Sequence, residues 1–436
     1  MKIIEYPNQT ELVRAIKRPV FDLSKLEKSV KRIISQVLKQ GDKAIFNLTK
    51  KFDKAEINDL RISDSVIDNS ERLLDTELKN AIKIAASNIA NFHKAQIPAD
   101  VEVETMNGIR CWQKAVPIEK LGLYIPGGTA PLFSTVLMLA IPAQLAGNKK
   151  VVLCTPPNEK GEINPAILYA AKISDVTEIY VCGGAQAIAA MAYGTESVPK
   201  VDKIFGPGNQ FVTIAKQLVS SQGVAIDMPA GPSEVLIMAD DSANPEFIAA
   251  DLLSQAEHGI DSQVILVTTS KKIAIQTLVS LNKQLDNLPR KEIAKQALKS
   301  GSIIIVKNDQ EMIDISNQYA PEHLIISSGY YTKIAEKVTQ AGSVFLGNFT
   351  PESLGDYASG TNHTLPTNGF ARSYSGLNMD AYYKKITFQE ATNKGIKIIG
   401  PFVETMADAE QLQGHKNAVS VRLKFLQNET FMTNQN

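Results

Sequence analysis

The sequence predicts an α/β protein with two parallel-sheet units in succession, and three observations carry that expectation. From about Leu121 short apolar runs alternate with helical segments, the mark of strands joined by crossover helices. The alternation restarts at Glu234 with EVLIMAD. The length, 436 residues, leaves room for about two or three domains with a real core.

Taken in order, the chain opens with a charged segment, MKIIEYPNQTELVRAIKR, that lacks the continuous apolar stretch of a signal peptide. Residues 1–21 are expected to form a small N-terminal extension. Residues from about 22 to 95 read as helical. Ser24 is placed to cap a helix through Gln40, with Leu26, Val30, Ile33, Ile34 and Leu38 as its apolar stripe. A second helix is expected from about Thr76 to Lys94, and both need a partner, since no strand run accompanies them.

LGLY, KKVVLC, TEIYVC and DKIF then read as strands, separated by helices at 132–146, 165–171, 185–193 and 210–220. EVLIMAD, SQVILVT, GSIIIV, HLIIS and GSVFL form the second set. After about Gly360, TNHTLPTNGFARSYSGLNMD has no periodicity and reads as an ordered functional loop or an extended connection. A helix over 404–413 leads into HKNAVSVRLKFL, whose apolar face implies docking, with another subunit as a candidate partner.

Charge and cysteine content narrow the function classes. Lys+Arg and Asp+Glu both number 46, so neither a nucleic-acid footprint nor a membrane-surface patch is indicated. A small molecule is the expected partner. The three cysteines, Cys111, Cys154 and Cys182, are odd in number and widely spaced, which argues against a disulfide framework. The longest apolar stretch, 136–146, is too short to span a membrane and contains Pro142. A cytoplasmic protein is expected.

Histidine is scarce, with 5 in the chain, and this draws attention to where they stand. His93 lies in a charged helical segment and reads as a solvated side chain. His258, His323, His363 and His415 each stand in a polar string, QAEH, APEH, DYASGTNH and EQLQGH, which suggests one site assembled from distant segments. In DLLSQAEHG, Gln255 and His258 are three apart on an expected helix and so share a face, as a metal pair or as plain surface residues. Metal sites of nitrogen and oxygen donors without thiolate suit Zn²⁺, Mn²⁺ or Co²⁺. Spacing alone nominates His258, Asp356 and His415, and it passes over Gln255, because carboxamide oxygens are uncommon zinc ligands.

APEHLI sets Glu322 beside His323 at a strand entry, either a solvated entry or an acid–base pair near neutral pH. Neighbours on a strand face opposite ways, so a shared ligand requires a turned backbone, which Pro321 permits. YIPGGTAP (124–131), VCGGAQA (181–187) and FGPGNQF (205–211) are Gly-rich turns between strand and helix. Each is either a tight turn or a close approach for an anionic ligand. None completes G-x-G-x-x-G, so any Rossmann-like unit is of an incomplete dinucleotide-binding type. In DMPAGPSEV, Ser233 lacks the nucleophile-elbow context and reads as a substrate-binding hydroxyl or a turn cap.

Taken together, LGLYIPGG, GGAQAIAA, FGPGN, DMPAGPSEV, LLSQAEHG, APEHLI, AGSVFLG, GDYASGTNHTLPT and GHKNAVSVR resemble the histidinol dehydrogenase family, in the family's order from residue 121 to 422. The resemblance implies oxidation of L-histidinol to L-histidine with reduction of two NAD⁺. It implies Gln255, His258, Asp356 and His415 as zinc ligands, one Zn²⁺ per subunit, and Glu322 and His323 as the acid–base pair. Ser233, His363 and Glu410 match substrate contacts, beside the zinc ligands and His323, and Tyr124, Gln186 and Asn209 match NAD⁺ positions. The family pattern further implies a homodimer in which Glu410 and His415 complete the neighbour's site. It also implies a discontinuous domain, 22–123 with 235–377, around an inserted NAD-binding domain at 124–234, and a C-terminal segment at 378–436. Competing readings are a zinc and NAD dehydrogenase of another small amino- or hydroxy-alcohol, a zinc metallohydrolase, and a non-catalytic nucleotide-binding module.

Overall fold

The computed structural model describes residues 1–19, 23–127, 131–229 and 231–433, except for the side chains of residues 23, 24 and 429–433. The expected Ser24 cap, residues 128–130 of the first Gly-rich turn and residue 230 of DMPAGPSEV lie outside the described set. Among the described residues the strands are β1 (Lys2–Glu5), β2 (Val101–Met106), β3 (Ile109–Pro117), β4 (Lys120–Tyr124), β5 (Lys150–Thr155), β6 (Glu178–Val181), β7 (Lys203–Phe205), β8 (Ala225–Ile226), β9 (Glu234–Ala239), β10 (Gln263–Thr268), β11 (Ser302–Ile305), β12 (His323–Ser327), β13 (Ser343–Leu346) and β14 (Tyr383–Ala391).

The chain forms two compact units, Met1–Gln96 with Ile118–Tyr382, and Ile97–Pro117 with Tyr383–Asn436. The first holds two parallel sheets, so the two-set α/β expectation holds. One runs β6-β5-β4-β7-β8 and the other β1-β11-β10-β9-β12-β13. In each, the first strand of its set lies centrally, and the chain reverses its direction of progress beside it, at β4/β7 and at β9/β12. Such a reversal parts the loops leaving the strands and opens a crevice. The N-terminal segment contributes directly: β1 pairs in parallel with β11, Lys2 opposite Ser302.

Helix Leu23–Gln40 finds its partner in the five-stranded layer, where Val30, Ile33, Ile34 and Val37 join one apolar cluster with Ile188, Ala192 and Val212. Val37, not Leu38, completes its buried stripe, and Leu38 faces out. Helix Thr76–Lys94 buries Ile82, Ala85, Ile89 and His93 along one stripe. His93 is therefore a core residue, not a solvated one. Its Nδ1 meets Ile89 O at 2.9 Å, and its Nε2 faces the Asn362 amide at 3.4 Å. No helix of the described residues is long and apolar enough to cross a membrane.

The second unit carries an antiparallel sheet, β14-β3-β2, and helices Asn393–Ala409 and Gln413–Thr433. β2 and β3, at 96–120, and β14 are strands where the sequence predicts no element, and the first helix begins well before the expected residue 404. Residues 361–380 are irregular apart from short 3₁₀ turns, as expected.

Candidate active site

The acid–base candidates meet at the amino edge of the six-stranded sheet. Strand β12 pairs with β9 so that His323 stands opposite Val235, which brings Glu322 alongside Glu234. The Glu234 N–H donates to Glu322 Oε2 at 2.9 Å. Ser343 N–H on β13 donates to the Glu322 carbonyl at 2.9 Å, so the backbone before β12 is held from both sides. Helix Asp309–Tyr319 ends at Ala320 in the left-handed region, φ +53°, and this turn lets both side chains of the pair enter one pocket of polar groups.

His323 is the centre of that pocket. It is 4% exposed, with Nε2 3.3 Å from Asp356 Oδ1 and Nδ1 3.5 Å from Glu322 Oε2. Its ring stacks on Phe345, centroids 5.9 Å apart. Burial alone would depress the imidazole pKa, but the Glu322 charge and the Asp356 hydrogen bond outweigh it and hold His323 well above its ordinary range. For Asp356, burial pushes upward and is overcome by the His323 hydrogen bond and by charge on His323, His363 and His258, so its carboxyl lies below the usual range.

More buried carboxylates surround the pair. Glu352 and Asp356 lie four apart on helix Glu352–Tyr357 and so share a face. Glu352 Oε1 accepts from Ser254 Oγ at 2.6 Å, while its Oε2 is buried with no hydrogen-bond partner. Burial pushes Glu352 to about 8 and Asp251 to about 7. Gln255 is buried among them. With its oxygen toward a donor, the carboxamide accepts from Glu234 N–H at 2.8 Å and donates to Glu352 Oε1 at 3.2 Å. Buried carboxylates short of cations, an orphaned carboxylate oxygen and imidazoles nearby fit a divalent cation with nitrogen and oxygen ligands. Among the described residues, no three His, Cys, Asp or Glu side chains gather as a metal cage by themselves, so such a cation would require Gln255 or a further ligand.

The other histidines divide. His363 is held by its own loop and by helix Phe133–Ala146: Nδ1 lies 2.8 Å from the Asp356 carbonyl and Nε2 3.0 Å from Thr135 Oγ1. A carbonyl can only accept, so Nδ1 carries the proton, and burial keeps the ring below its usual pKa. His258 is exposed and lies beyond the end of helix Pro245–Ala256, which stops with Glu257 as its C-cap. Gln255 and His258 thus do not lie on one α-helix, although His258 N–H still donates to the Gln255 carbonyl at 3.3 Å and His258 remains within electrostatic reach of Asp356. Ser233 is half-buried, one residue before β9. Glu410, the C-cap of Asn393–Ala409, and His415, in the first turn of Gln413–Thr433, are exposed residues of the second unit.

Tyr124, Gln186 and Asn209 stand at the carboxyl edge of the five-stranded sheet, beside its β4/β7 reversal. Tyr124 Oη accepts the Gly184 N–H at 3.0 Å, at the start of helix Gly184–Tyr193, which also buries Gln186. Asn209 caps helix Gln210–Ser220 by accepting from Phe211 and Val212 N–H. Gly206 is required where it is: φ is +128°, and a Cβ there would meet the Tyr124 carbonyl oxygen at 2.1 Å. A buried Lys216–Asp227 ion pair clamps that turn, Lys216 Nζ donating to Gly206 O and Gly206 N–H to Asp227 Oδ2, both at 2.8 Å. At Gly206 the tight-turn alternative is therefore realised, with its backbone packed against the Tyr124 carbonyl.

Residues 16–423 match the family model for histidinol dehydrogenase. The chain belongs to the histidinol dehydrogenase family. It is 57% identical over 426 residues to a histidinol dehydrogenase of Bacteroides thetaiotaomicron, covering 98% of this chain and all of the relative. A histidinol dehydrogenase of Mannheimia succiniciproducens is 52% identical, covering 95% and 97%. The crystal structure of histidinol dehydrogenase from Elizabethkingia anophelis superposes with a TM-score of 0.95 at 56% identity, covering 98% of this chain and 99% of that one.

As a member of the histidinol dehydrogenase family, the chain is an NAD-dependent oxidoreductase of histidine biosynthesis. Three buried acids around the predicted pair, Glu234, Glu352 and Asp251, were not among the sequence candidates. Glu234 carries a signal, a charged residue opening the apolar run EVLIMA, and so does Glu352, at helical spacing from Asp356.

Proposed function

We propose that the chain converts L-histidinol to L-histidine in one site, through bound L-histidinaldehyde, with Glu322 and His323 moving the protons and two NAD⁺ consumed as hydride acceptors. The burial of His323 between Glu322 and Asp356 supports this reading most directly, since an imidazole and a carboxylate side by side are the groups that proton removal and water activation need. In the first oxidation His323 takes the hydroxyl proton as hydride leaves that carbon. Glu322 then removes a proton from the water that adds to the aldehyde. His323, having passed its first proton to solvent, accepts the hydrate's remaining hydroxyl proton as the second hydride leaves, giving the carboxylate. Burial of the pair shields the aldehyde between steps.

Gln255, His258, Asp356 and His415 would hold one Zn²⁺ per subunit, which supplies a template and Lewis acid for the substrate's nitrogen atoms. Ser233, His363 and Glu410 contact the substrate in this reading, and Tyr124, Gln186 and Asn209 contact NAD⁺. The working form is a cytoplasmic homodimer in which Glu410 and His415 serve the neighbouring subunit. Metal content tests the ligand set: the purified wild type should carry one zinc per chain, and His258→Asn or Asp356→Asn should lose most of it. Full zinc occupancy in both variants would refute those ligands.

A further inference from the structure

Arg18 follows helix Gln9–Ala15, far in sequence from any site residue, yet its guanidinium ends behind the catalytic pair. Its Nε donates to Glu234 Oε2 at 2.7 Å and one Nη to Glu234 Oε1 at 2.8 Å, a two-point fork. The same nitrogen donates to the carbonyls of Tyr319 and Ala320, at 2.8 and 3.3 Å. The guanidinium also lies over the Tyr319 ring, 3.9 Å from its centroid. Tyr319 Oη donates within reach of both Glu234 Oε2 (3.0 Å) and Gln263 Oε1 (2.9 Å), and Gln263 Nε2 returns to the Lys17 carbonyl at 3.0 Å. The network closes on itself.

Two outputs of this network reach the pair. Ala320 holds the left-handed turn from which Pro321, Glu322 and His323 follow, and Arg18 grips the carbonyls on either side of that turn's entry. Glu234, whose carboxylate Arg18 holds, donates its own N–H to Glu322 Oε2. Glu234 is 2% exposed, so without Arg18 it would be a buried carboxylate facing a single hydroxyl.

We infer that Arg18 is a positioning residue for the reaction: it fixes the strained turn before Glu322 and His323 and the amide that orients the Glu322 carboxylate. This rests on the reading of Glu322 and His323 as the acid–base pair. A displacement of about 1 Å at such a pair can lower turnover on the order of a hundredfold.

The test measures steady-state turnover of L-histidinol with NAD⁺. Arg18→Ala removes the fork, and Arg18→Lys keeps the charge but not the planar two-point geometry. Both should lower kcat at least about tenfold while the KM for NAD⁺ stays within about twofold. Added to Glu322→Gln, either substitution should cost clearly less than the product of the two single losses, because part of its effect runs through the Glu322 carboxylate. A folded Arg18→Lys enzyme with wild-type kcat, or losses that multiply in the double variant, would overturn the role. If Arg18→Ala does not fold, Arg18→Lys and its double variant carry the same comparison. Failure of the underlying reading looks different: Glu322→Gln and His323→Asn would then turn over normally whatever stands at 18.

Discussion

His323 Nε2 lies 3.3 Å from Asp356 Oδ1, which joins the proposed base to a proposed zinc ligand. With Glu322 on its other side, the imidazole pKa is held well above its ordinary range. A base must be neutral to accept a proton. A cation engaging Asp356 would withdraw that support, so the site's acid–base state and its metal are expected to be linked.

The pair should separate kinetically. His323→Asn is expected to lose about 10² to 10⁴ in the first oxidation while still binding L-histidinol, as for loss of a positioned general base. Glu322→Gln should act mainly on L-histidinaldehyde oxidation. Single-turnover assays with L-histidinol and with the aldehyde distinguish them, and equal losses on both substrates in both variants would contradict the division of labour.

How much of this was legible beforehand follows from the kind of signal each segment carries. The runs of β4, β5, β9, β10 and β12 each have a buried apolar interior behind a polar first residue, so they stand out in the sequence. In VEVETM of β2 every residue is exposed, and the segment carries only apolar–charged alternation, which marks a strand just as well but not as an apolar run. His93 reads as polar, although its place on the stripe of Ile82, Ala85 and Ile89 marks it as core. His258 falls after the helix because nothing in SQAEHG announces a stop at Ala256 except Gly259. Arg18 had no local signal at all, since its partners lie more than 200 residues away.

Completion of each site by the neighbour can be tested by mixing two inactive chains. His323→Asn and His415→Asn subunits, dissociated and reassociated together, should regain about a quarter of wild-type activity, because half the dimers are mixed and each mixed dimer has one intact site. No recovery, with mixed dimers shown to form, would place His415 in its own subunit's site.

Asp53 gives a pH signature of stability. It is the C-cap of helix Asp42–Phe52, where the helix end disfavours negative charge, and its Oδ2 is buried without a partner. Burial raises its carboxyl from 3.8 to about 6. The folded value exceeds the unfolded one, so this group's stabilising contribution is complete below 3.8 and is lost as pH rises through about 6. Asp53→Asn should therefore add roughly 1 kcal/mol near pH 7.5, discounted for partial exposure, and almost nothing near pH 4. Urea unfolding at both pH values checks this, and an equal gain at the two would contradict it.

The most direct test of the account counts NADH formed per L-histidinol consumed, before and after a chelator strips the metal. Two NADH per substrate, lost on chelation and restored by zinc, is the predicted result. One NADH per substrate would mean that the aldehyde escapes and that Glu322 does not activate water for the second oxidation. Undiminished turnover after complete metal removal would contradict the zinc-templated site.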